Sequence, residues 1–204
     1  SIMVSCFIMA PLMIGLACCA SNIVTIVLTE KWLPCVFFLQ IFCITYMFYP
    51  IHTANLNAIK AMGRSDLFLK LEIIKKIVGL VVLLSTMWFG VMVMAYSLLL
   101  TCILSQIINA WPNKKLLNYG YFEQVKDILP GILMAVFMGT VIFAFNFLQF
   151  TPWIKLAIQI PCGIIVFMFG SAICKLESYS YMKGLLVSRI KKNKNERKDN
   201  TNRE

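Results

Sequence analysis

Acidic side chains are scarce in this sequence. Only nine Asp and Glu stand among 204 residues, and none falls at the centre of an apolar run. Proton- and sodium-coupled pumps place a carboxylate at such a point, and acid–base catalysis needs one beside a base. Histidine is scarcer still: His52 is the only one. There is no CxxC pair, and the eight cysteines lie almost entirely inside apolar runs, where they read as small apolar side chains. A Ser/His/Asp set, an HExxH helix and a phosphate-binding loop are also missing. These absences argue against an enzyme. They lead to the expectation of no catalytic residue, no metal and no cofactor in this stretch. The opening SIMVSCFIMA has neither an initiator Met nor the basic start of a signal peptide. It is expected to be the interior of a longer protein.

What is abundant is apolar. Hydrophobic residues make up 60% of the chain, charged ones only 14%, and the mean hydropathy is +0.80. Soluble domains are about half apolar and a quarter charged, so the solvent for this surface must be lipid. A helix needs about 20 apolar residues to cross a bilayer. Six segments qualify: 2–28, 35–62, 66–89, 91–111, 128–150 and 152–175. They lack the alternation of strands, and lipid tolerates no unpaired backbone. The expected fold is therefore all-α, a polytopic membrane protein with six transmembrane helices.

The net charge of +10 has the same origin. Seventeen of the nineteen Lys and Arg fall on one side of the membrane if the first segment starts in the cytoplasm; only Lys31 and Lys155 fall on the other. The positive-inside rule then places both ends of the chain in the cytoplasm. The charge points to anionic lipid, not nucleic acid. The tail 178–204 is polar and mixed in charge, and is expected to be cytoplasmic, disordered towards its end and in contact with anionic head groups. Residues 113–127 carry Leu117, Tyr121 and Val125 on one helical face, followed by Ile128. An amphipathic segment on the inner leaflet is expected there, or else a loop with a helical turn.

Polar groups inside apolar spans are the candidate functional features. The stretch FYPIHTANLNAIKAMGRSD contains Pro50, His52, Thr53, Asn55 and Asn57, then Lys60 and Arg64. A proline in a membrane helix removes a backbone donor, and Pro11, Pro50 and Pro161 each sit within a span. His52 lies about 12 Å from Lys60 along a helix, in the cytoplasmic half. These residues line either a hydrated vestibule or an inter-helix hydrogen-bond network. Ser97, Thr101 and Ser105, with Gln106 and Asn109, raise the same two readings in the fourth span. Lys75 and Lys76 lie one or two turns inside the lipid boundary. Either they snorkel and pair with Glu72 at i+3 and i+4, or one of them faces a cavity and binds an anion. The candidate substrate-binding residues are therefore His52, Asn55, Asn57, Lys60, Arg64, Lys75 and Lys76.

Four stretches carry a resemblance: PLMIGLACCASNIVTIVLTEKW, the FLQIF run, AMGRSDLFLKLEIIKK and NKKLLNYGYFEQVKDILP. In that order they resemble the C-terminal lobe of Wzx-type oligosaccharide flippases, within the multidrug/oligosaccharidyl-lipid/polysaccharide exporter superfamily. The resemblance covers Pro11 to about Glu177. It implies one lobe of a two-lobe transporter around a V-shaped cavity, with an N-terminal lobe of the same protein as partner. It implies movement of polyprenyl-diphosphate-linked oligosaccharide across the cytoplasmic membrane, with basic residues holding the diphosphate. The rivals are a drug/cation antiporter of the same superfamily and, less readily, a membrane enzyme of polysaccharide assembly.

Overall fold

The computed structural model describes residues 2–117, 120–148, 150–174 and Gly184. Among these, every regular element is helical. Seven α-helices follow one another: α1 Ile2–Leu28, α2 Cys35–Met47, α3 Tyr49–Ala61, α4 Ser65–Thr86, α5 Val91–Leu117, α6 Tyr121–Ala144 and α7 Pro152–Ile173. Single 3-10 turns at Glu30–Trp32, Met87–Phe89 and Phe145–Phe147 lie between helices at one end. Five spans, counting α2 and α3 together, are long and apolar enough to cross a membrane by composition. The remaining helix, α4, has 22 residues, about 33 Å. It falls short on composition because Asp66, Lys70, Glu72, Lys75 and Lys76 crowd its first half. Its second half, IVGLVVLLST, is apolar throughout. The chain is an all-α polytopic membrane protein.

Segment boundaries follow local chemistry. Gly63 and Gly90 take positive φ, 70° and 95°, where a Cβ is disfavoured, and they turn the chain between α3 and α4 and between α4 and α5. The expected second span, 35–62, is one membrane crossing but two helices, interrupted at Phe48. Pro50 causes the break, because it cannot donate to the carbonyl four residues earlier. Pro11 and Pro161, by contrast, lie within the uninterrupted helices α1 and α7. Of the stretch 113–127, residues 113–117 end α5 and 121–127 form the first two turns of α6. The tail 178–204 lies outside the described residues, Gly184 excepted.

The core gathers α1, α6 and α7. Phe7, Ala10, Met134, Met138, Ile142 and Phe167 form its buried centre, with the Phe7 and Phe167 rings 4.9 Å apart. Small residues let these helices approach, the usual device where lipid supplies no hydrophobic drive between them. Gly131, Ala135 and Gly139 recur every fourth residue on α6, opposite Phe7, Ile14 and Cys18 of α1. Large apolar side chains such as Leu80, Ile103, Leu133 and Ile165 point outward, as a lipid-facing surface requires. α4 and α5 form an outer hairpin against α2 and α3.

Candidate functional site

The break at Phe48 is held by α5. Gln106 Nε2 donates to the Phe48 carbonyl oxygen at 2.9 Å. One turn earlier, the Cys102 thiol points to the Thr45 carbonyl, 3.6 Å away. One turn later, Asn109 Nδ2 lies 2.6 Å from His52 Nδ1. Residues 102, 106 and 109 share one face of α5, so a single polar stripe engages both sides of the break. Gln106 and Asn109 are 3% and 0% exposed, and their amide oxygens, Gln106 Oε1 and Asn109 Oδ1, have no hydrogen-bond partner among the described residues. The Tyr49 ring covers His52, with centroids 5.9 Å apart.

α4 packs against α3. Lys75 is buried and donates Nζ–H to Glu72 Oε1 at 2.5 Å. That is the only ion pair among the described residues. Both side chains lie within electrostatic reach of His52. The pair therefore forms at i+3, and Lys76 stays exposed on the adjacent face.

The seven candidate residues divide between four settings. His52 belongs to the α3–α5 contact, and Lys75 is buried on α4 beside Glu72. Asn55 turns the other way: it is buried and donates Nδ2–H to Gln124 Oε1 of α6 at 2.8 Å, an inter-helix bond. Asn57, Lys60, Arg64 and Lys76 are exposed. Lys60 Nζ sits 4.4 Å from the Phe68 ring centroid, a cation–π contact across the α3–α4 hairpin. Arg64 directly precedes α4, its carbonyl accepting from Phe68 N at 3.2 Å. The end of this hairpin thus presents two cations to solvent, below a polar helix break. The Ser/Thr stripe of α5 bonds locally: Ser97 Oγ to the Met94 carbonyl and Thr101 Oγ1 to the Ser97 carbonyl, with Thr86 of α4 reaching Ser97 Oγ at 3.4 Å. Among the described residues no group of three His, Cys, Asp or Glu is placed to hold a metal.

A second polar network was not anticipated from sequence. Asn22 Nδ2 of α1 donates to Asn146 Oδ1 and to Gln159 Oε1 of α7, each at 3.0 Å. Gln159 Nε2 returns bonds to Asn146 Oδ1 and the Ile142 carbonyl at 2.9 and 3.2 Å. Asn146 Nδ2 donates to the Cys18 carbonyl at 3.1 Å. The signal was available: each is an isolated amide in an apolar run, near the same hairpin end, and such groups need partners in lipid.

A family model described as "Polysaccharide biosynthesis protein" matches residues 1–37, which are α1 and the turn into α2. No curated protein and no solved structure matches the chain.

Proposed function

We propose that this chain is half of a flippase that carries polyprenyl-diphosphate-linked oligosaccharide across the cytoplasmic membrane for surface polysaccharide biosynthesis. The observation that carries the reading is the α3–α4 hairpin, where Lys60 and Arg64 are exposed at the end of a span broken by Pro50. The match over residues 1–37 supports the pathway.

In this reading the basic end faces the cytoplasm and collects the diphosphate there. A cation beside low-dielectric walls attracts an anion more strongly than one in bulk water. Arg64 offers a planar fork to phosphate oxygens, whereas Lys60 and Lys76 act as point charges. Lys75 is already neutralised by Glu72. A second six-helix lobe faces this one and supplies the rest of the cavity. Pro50 leaves α2 and α3 discontinuous at Phe48, the kind of break that alternating access uses, and the Gln106 bond satisfies the carbonyl there. Anionic lipids at the basic tail complete the set of partners.

The test is a strain lacking the gene. It should accumulate lipid-linked oligosaccharide on the cytoplasmic leaflet and lose surface glycan, and the full-length gene should restore both. Unchanged export in the deletion strain would refute the reading. A drug/cation antiporter is the second reading, favoured by one observation: the Glu72 carboxylate of α4 is partly buried and paired with the buried Lys75. That reading requires Glu72→Gln to abolish drug efflux, with glycan export intact in the deletion strain.

A further inference from the structure

We propose that the groove between α1 and α7 binds one acyl chain of an anionic phospholipid, with its phosphate on Lys155. The groove has a volume of about 490 Å³, and Met138 and Ile142 of α6 contribute to its wall. Phe7 and Ile23 mark its two ends on α1, sixteen residues or roughly 24 Å apart at 1.5 Å each. No lining residue is charged, and the polar one, Gln159, is fully engaged with Asn22, Asn146 and the Ile142 carbonyl.

Size selects the occupant. An apolar protein cavity of about 150 Å³ holds the six carbons of benzene, so this groove accommodates roughly twenty carbons in a narrow file. That is one fatty-acyl chain.

Charge selects the head group. Lys155 stands one turn before Gln159 on the same face of α7, beyond the Ile23 end. It is half-buried, and its Nζ donates to the Asn146 carbonyl at 3.1 Å. An ammonium has three donors, and no carboxylate lies within 4 Å of this one among the described residues. An uncompensated, half-buried cation at the head of an apolar groove matches an amphiphile with an anionic head and an apolar tail. Its leaflet, the outer one, rests on the orientation proposed above; the site itself does not.

The experiment is intact-mass measurement of the purified full-length protein, titrated with phosphatidylglycerol and phosphatidylcholine of equal chain length. One phosphatidylglycerol should be retained with about tenfold preference, the scale of one charge-assisted contact. Lys155→Gln should abolish the preference and Lys155→Arg should keep it. Ile160→Trp and Ile164→Trp, at groove residues exposed to lipid, should remove both lipids. Retention without head-group preference overturns the proposal. So does an unchanged preference in folded Lys155→Gln protein, or in both Trp variants if Lys155→Gln does not fold. Displacement of phosphatidylglycerol by equimolar long-chain polyprenyl phosphate would assign the groove to cargo instead. Disulfide-linked dimerisation through Ile164→Cys, in protein whose eight native cysteines are replaced, would assign it to an interface between copies.

Discussion

Gln106 donates to the Phe48 carbonyl across 2.9 Å, so a side chain of α5 satisfies the backbone where α2 gives way to α3. In lipid no water can do this, and an unpartnered carbonyl is costly. Gln106→Met, close in shape but without the donor, should destabilise the protein by about 1–3 kcal/mol. Thermal unfolding in detergent would show it, and an unchanged midpoint would mean that the bond contributes nothing.

The ion pair predicts an asymmetry. Lys75 is 8% exposed and Glu72 32%. Glu72→Gln leaves a buried ammonium without its partner, whereas Lys75→Met leaves a carboxylate that still reaches solvent. The first should cost on the order of 2 kcal/mol or more, and the second less. The double variant should recover part of the loss of Glu72→Gln. Equal effects of the two single changes, measured as folded fraction on heating, would contradict the burial seen here.

Gly139 tests the core. A Cβ there would lie 2.5 Å from Ile14 Cγ2 and 3.3 Å from Cys18 Sγ. Gly139→Ala should cost about 1–3 kcal/mol through overpacking, and Gly139→Leu should reduce membrane abundance sharply. Gly63→Asn is a milder test: no atom lies within 4 Å of its Cβ position, and at φ 70° it caps α3, with Arg64 N bonded to the Ile59 carbonyl around it, a left-handed cap where Asn is the usual substitute for Gly. It should lower the unfolding midpoint by far less than Gly139→Ala.

The spans were legible because lipid allows few solutions: long apolar runs became helices, and Gly63 and Gly90 closed the turns. The break at Phe48 was announced by Pro50. The direction in which each polar side chain points was not legible. Thr45, His52 and Thr53 fall roughly on one face of an ideal continuous helix, yet the interruption at Phe48 changes that register. Asn55 could not be assigned to α6 because its partner, Gln124, sits in a stretch that reads as amphipathic loop or surface helix. The choice of Lys75 over Lys76 as the partner of Glu72 depends on which face of α4 meets α3, which spacing alone leaves open. Asn22 and Gln159 carry only a weak signal in sequence, because each is the single side-chain amide of its helix and finds its partner only in the tertiary fold.

The central claim is that the exposed cations of the α3–α4 end collect a diphosphate-linked glycan. Its most direct measurement is the initial rate at which full-length protein, reconstituted in vesicles, moves a labelled polyprenyl-diphosphate oligosaccharide between leaflets. Lys60→Gln combined with Arg64→Gln removes both cations of that end, neither of which makes an ion pair among the described residues. The account predicts a fall of about tenfold or more, the scale of one lost charge-assisted contact, with abundance and unfolding midpoint unchanged. Transport at the parental rate would contradict it.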